Sequence, residues 1–146
     1  MSLSVLSGPA TVSNSEVLLN GAGTVVLAGN QAGNSNYLSA QQVITQFIVA
    51  KGHQSITFGD LSPVSTRTTP FSLRARASSG LPVSYTSSNT NVAVVSSNIV
   101  TILGVGKAKI TASQSGDPNY TAAASVQRVL KVIKATHVIP LESMSP

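Results

Sequence analysis

A chain of 146 residues has room for one domain or a little more, and its 42% apolar content suffices for a core, whereas 9% charged and 4% aromatic residues leave little material for long amphipathic helices. With no Cys, disulfides and thiolate metal sites are excluded. Nine Lys and Arg against four acids give a net charge of +5, but Lys51, Arg67, Arg74, Arg76, Lys107, Lys109, Arg128, Lys131 and Lys134 stand singly or on alternate strand positions, which argues against the clustered, aromatic-interleaved platform of a nucleic-acid binder.

Residues 1–10 lack the basic start and sustained apolar stretch of a signal peptide, and no run approaches membrane-spanning length, so direct membrane insertion is not expected and any export signal is expected upstream. From residue 10 onward the chain repeats itself. Residues 10–51 align without a gap to residues 93–134 at an offset of 83, with Ala10/Ala93, Val12/Val95, Val17/Val100, Gly21/Gly104, Gly23/Gly106, Gly33/Gly116, Asn36/Asn119, Tyr37/Tyr120, Val49/Val132 and Lys51/Lys134 among the identical pairs. Two G-x-G turns and two Asn-Tyr segments thus recur in order. Residues 1–51 read as the C-terminal part of one module, its opening strands missing, with Val12, Val17, Leu19, Val25, Leu27, Val43, Phe47 and Val49 directed to a core. Open apolar surface and an unpaired strand edge are the expected consequence.

Residues 52–134 read as a complete module, in which turn residues break period-two alternation into seven strands. Gln54–Phe58 opens it, and Phe71–Ala77 follows with Phe71, Leu73, Ala75 and Ala77 on one face. After the turn Ser79-Gly80-Leu81-Pro82, the segment Val83–Ser87 turns Val83 and Tyr85 inward. Val92–Val95 and Ile99–Leu103 form a hairpin around Ser96-Ser97-Asn98. Beyond Gly104-Val105-Gly106, Lys107–Ser113 places Ala108, Ile110 and Ala112 inward, and Val126–Val132 closes the module. Residues 135–146 are a tail or the start of a further module. The fold class expected is all-β, with two apolar faces meeting in a sandwich.

The run Tyr85-Thr-Ser-Ser-Asn-Thr-Asn-Val-Ala-Val-Val95, followed by Val100-Thr-Ile102, Gly104-Val-Gly106 and Ala108-Lys-Ile-Thr-Ala112, resembles the core signature of bacterial immunoglobulin-like repeats of the group 2 type and its relatives. The likeness covers nearly the whole chain. It implies immunoglobulin-like sandwich modules in tandem within a large exported protein of the intimin and invasin kind, an extracellular or cell-surface setting, and a spacer or adhesive role. The implied partners are neighbouring modules of the same polypeptide, with a host or matrix protein or a glycan as further candidates. Tyr85 stands where that signature usually has Trp.

Few residues could carry chemistry, and no catalytic, cofactor-binding or metal-binding residue is assigned. His53 sits beside the expected module boundary, but its repeat equivalent is Thr136, and His137 lies in the tail; both read as polar linker residues, since a metal needs several converging ligands. Glu16, Asp60, Asp117 and Glu142 are far apart, Glu16 is replaced by Ile99 in the other repeat, and no serine lies in a G-x-S-x-G elbow. The chain is therefore not expected to be an enzyme or to need a cofactor. Gln114-Ser-Gly-Asp-Pro-Asn-Tyr120 is the segment of most interest. Asp117 and Asn119 could join carbonyl oxygens around calcium; alternatively Gly116 and Asn119 form a turn and Tyr120 buries its ring while its hydroxyl ties down a neighbouring loop, the reading favoured because Asn34 replaces Asp117 in the first repeat.

Overall fold

Alternating apolar and polar residues put one side of each strand toward a core, and a computed structural model, which describes residues 1–140, contains strands and turns and no helix among the described residues. The architecture is all-β with several sheets, consistent with a β-sandwich. The contacts divide into two compact units. Unit 1 comprises Met1–Gln54 together with Ser115–Ala122, and unit 2 comprises Ser55–Gln114 together with the chain from Ala123 onward.

Unit 1 holds β1 (Ser2–Ser7), β2 (Ala10–Ser13), β3 (Glu16–Leu19), β4 (Gly23–Asn30) and β5 (Val43–Val49). Strand β4 lies between β1 and β5, antiparallel to both. Strands β2 and β3 form a hairpin on the two-residue loop Asn14-Ser15, whose left-handed φ values of 50° and 64° match the mirror-image turn that right-handed strand twist requires. The buried core is small, with Ala10, Val25 and Leu27 at its centre and Leu3, Val5, Val17 and Val49 against it. Of the eight positions expected to face a core, Val43, Phe47 and Leu19 are exposed at 68%, 38% and 48%. Val43 and Phe47 on β5 and Leu19 on β3 lie outside the buried cluster, so inward periodicity there does not become burial.

Unit 2 holds β6 (Ile56–Thr57), β7 (Val64–Ser65), β8 (Phe71–Ser72), β9 (Arg76–Ala77), β10 (Ser84–Ser87), β11 (Ala93–Ser96), β12 (Ile99–Ile102), β13 (Gly106–Ser113) and β14 (Val126–Ile133). One sheet runs β10-β13-β14-β7, a second β11-β12-β8, and β6 pairs with β9. Apolar residues from all three meet in one cluster, where Ile110, Leu130 and Val100 are fully buried and Ile56, Phe58, Leu73 and Val92 nearly so. Burial of one such aliphatic side chain is worth about 2 kcal/mol.

The structure corrects two expectations here. The single strand expected over Phe71–Ala77 is divided between sheets. Strand β8 pairs with β12 and β9 with β6, and between them the Tyr85 hydroxyl accepts the Ala75 N–H at 2.8 Å, replacing a ladder partner. The alternation of burial continues through the break, which is why the sequence reads as one strand. Val64–Ser65 is an additional strand, parallel to the end of β14, extended by a Thr66 N–H to Ile133 carbonyl bond of 3.1 Å. Two residues carry no readable periodicity, and Pro63, lacking an N–H, suits the start of an edge strand. The tail residues 141–146, including Glu142, lie outside the described residues.

Candidate functional site

The Asn-Tyr segments are built from their own backbone upward. In the second repeat, Asp117 Oδ1 accepts the N–H groups of Asn119 and Tyr120, both at 2.8 Å, and the Asp117 N–H donates to the Tyr120 carbonyl at 3.0 Å. In the first, Asn34 Oδ1 accepts the N–H groups of Asn36 and Tyr37 at 2.8 and 3.0 Å, and its own N–H donates to the Tyr37 carbonyl at 2.9 Å. Asn can replace Asp because only an acceptor oxygen is needed. Gly116 and Gly33 enter the loops at φ values of 82° and 77°, where a Cβ would collide with the carbonyl oxygen of Tyr120 or of Tyr37. Both loops are thus preformed to one pattern.

Their tips differ. Within unit 1, Asn119 Oδ1 accepts the Ala22 N–H at 2.9 Å in the turn Gly21-Ala22-Gly23. The Gly52 N–H donates to the Asn119 carbonyl at 2.8 Å, and the Gly52 carbonyl accepts the Thr121 N–H at 2.9 Å. Lys51 Nζ donates to the Asp117 carbonyl at 2.9 Å, and Gln54 Nε2 to that of Thr121 at 2.7 Å. Glycine leaves room at two points of contact: a Cβ on Gly21 would stand 2.7 Å from Asn119 Oδ1, and one on Gly52 would stand 3.1 Å from the Tyr120 ring. By contrast, Tyr37 is 75% exposed. The same motif is engaged in one copy and presented to solvent in the other.

This geometry revises the reading of Tyr120. Its ring is only half-buried, and the loop is held by Asn119 and by main-chain bonds rather than by the tyrosine hydroxyl. Tyr85 does have the role of a buried ring with an anchored hydroxyl: it packs edge-on against Phe58, ring centroids 5.9 Å apart, and bonds Ala75. The engagement of Asn119 with Ala22 was not foreseen. A signal for it existed in the pairing of a recurring Asn-Tyr with a recurring G-x-G, but only a folded chain reveals which copy meets which.

Elsewhere the chemistry is sparse. Among the described residues, no group of three or more His, Asp and Glu gathers. The imidazole of His53 lies 3.5 Å from Thr121 Oγ1, Asp60 pairs with Arg128 Nε at 3.1 Å on the surface, and Glu16 and His137 are exposed. The groove along Ala75–Val83 offers Arg76 as its one titratable side chain. The arrangement can hold backbone segments together. No family model matches the chain, and no curated protein matches it.

Proposed function

We propose that the chain is a non-enzymatic segment of immunoglobulin-like β-sandwich modules in tandem, acting as a spacer or adhesion stalk in a larger exported or cell-surface bacterial protein. The observation that carries this reading is the state of Gly52. Gly52, at the boundary between the two repeats, has both its N–H and its carbonyl paired within unit 1, to Asn119 and Thr121, so this boundary residue is fixed in that unit's own backbone. The division of sheets in residues 55–134, with β6 on β9 and β7 on β14, also suits an immunoglobulin-like sandwich whose first strand serves both sheets.

Single-molecule extension between the chain ends tests it. A stalk module yields in one cooperative step, releasing about 250 Å for the residues of unit 2. Gradual extension with no discrete step would remove the mechanical role.

A further inference from the structure

We propose that the exposed loop Gln31–Tyr37 is a docking clasp for a second copy of this chain, gripping that copy's Gly104-Val105-Gly106 turn and its Lys134-Ala135 segment to give head-to-tail association. The chain displays the lock and the key once in engaged form: Asn119 and Tyr120 hold Gly21-Ala22 and Lys51-Gly52 inside unit 1. The principal residues of that contact have identical counterparts 83 residues away, whereas Ala135, which replaces Gly52, already donates its N–H to Thr66 Oγ1 at 3.3 Å. On the clasp side, Asn36 and Tyr37 are identical to Asn119 and Tyr120, and the loop carries the same internal hydrogen bonds.

On the receiving side, Gly104 repeats Gly21 and Lys134 repeats Lys51. The turn is the same turn: Gly106 and Gly23 have φ of 143° and 144°, and the Leu103 N–H to Val92 carbonyl bond of 2.8 Å matches the Asn20 N–H to Pro9 carbonyl bond of 2.8 Å. Tyr37 and Val105 are 75% and 50% exposed. Docking would direct the Val105 N–H to Asn36 Oδ1 and Lys134 Nζ to the Asn34 carbonyl, and would cover the Tyr37 ring. A preformed loop loses little entropy on binding, and a tyrosine entering a fitted site is the usual centre of such a contact. The two surfaces differ, so each copy can grip one neighbour and be gripped by another, an open chain rather than a closed pair.

Two residues of the key differ from the engaged contact, Val105 for Ala22 and Ala135 for Gly52, and the second bears on its strength. Ala135 stands where the engaged contact has Gly52, and a Cβ there falls 3.1 Å from the tyrosine ring, closer than ordinary packing. Association of this chain is accordingly weak, and Ala135→Gly strengthens it.

The inference rests on the internal repeat and not on the stalk reading, and extension measurements on single chains are blind to it, so either can fail alone. Sedimentation velocity from about 10 μM to about 1 mM reads it out. Ala135→Gly should tighten self-association by about threefold, and Tyr37→Ala, at a position too exposed to matter for folding, should weaken it about tenfold. Val105→Pro, which removes the donor N–H, should likewise weaken self-association, yet a mixture of Tyr37→Ala and Val105→Pro should form one-to-one pairs, each supplying the surface the other lacks. Chains that stay monomeric throughout, Ala135→Gly included, overturn the proposal. So does self-association that Tyr37→Ala leaves unchanged, which would place the contact at another surface.

Discussion

Asn119 and Asn36 are the same residue in the same preformed loop with different company, which makes them a matched pair for measuring what the engaged contact is worth. Asn119→Ala removes the acceptor for the Ala22 N–H and should cost about 1 kcal/mol of unfolding free energy in denaturant titration. Asn36→Ala should fall within about 0.5 kcal/mol of the parent. Gly116→Ala combines a left-handed φ of 82° with a collision against the Tyr120 carbonyl and should cost about 2 kcal/mol or more. The calcium alternative is also testable at this scale. Asp117 Oδ1 serves two amides and Asn119 Oδ1 a third, so these two oxygens are committed to hydrogen bonds that define the loop and its contact. Thermal melts in calcium and in chelator should superimpose; a rise of several degrees with calcium would show that the cation wins.

Among the elements, β5 and β14 make the instructive comparison, since one repeat pattern has two fates. In β14, Leu130 and Val132 are buried at 0% and 2% and the outward positions include Gln127 and Lys131. In β5, the equivalents of those outward residues are Ile44 and Ile48, exposed at 57% and 78%, while Phe47, equivalent to Leu130, is 38% exposed. A strand apolar on both faces, with an edge unpaired among the described residues, is a template for aggregation. Replacing Ile44 by Gln and Ile48 by Lys, the residues β14 uses, should raise the solubility limit and leave the melting temperature within about 2 °C. Hydrogen exchange should separate the central strands as well: amides of Val25–Ala28 in β4 should exchange faster than those of Ala108–Thr111 in β13, because the core beneath them is smaller. Equal protection in a dilute monomeric sample would show that unit 1 is the more stable than its core implies.

At the scale of the molecule, the two units carry cores of unequal size, three central buried residues in one against eleven in the other among the described residues. Calorimetry should therefore resolve a lower-temperature transition belonging to unit 1. Ile110→Ala, at a fully buried site, should cost about 3 kcal/mol and move the upper transition alone, whereas Leu27→Ala, its repeat equivalent, should move the lower. A single transition displaced equally by both substitutions would mean that the units unfold as one.

The repeat, the strand-forming alternation and the glycine turns are local properties, and the sequence by itself determined them: period two in Lys107–Ser113 and Val126–Val132 states which side of each strand is apolar, and the 83-residue offset pairs the turns. Whether an apolar side becomes buried depends on what is laid against it, which is not local. Phe47 and Leu130 read alike and differ in exposure for that reason. Strand pairing is non-local in the same way, so the division of Phe71–Ala77 around the Tyr85 hydroxyl and the parallel seat of Val64–Ser65 on β14 were decided only when the chain was folded. So too was the difference between the two Asn-Tyr loops. Their internal hydrogen bonds follow from composition, but engagement of Asn119 and exposure of Tyr37 depend on which glycine turn each loop meets in space.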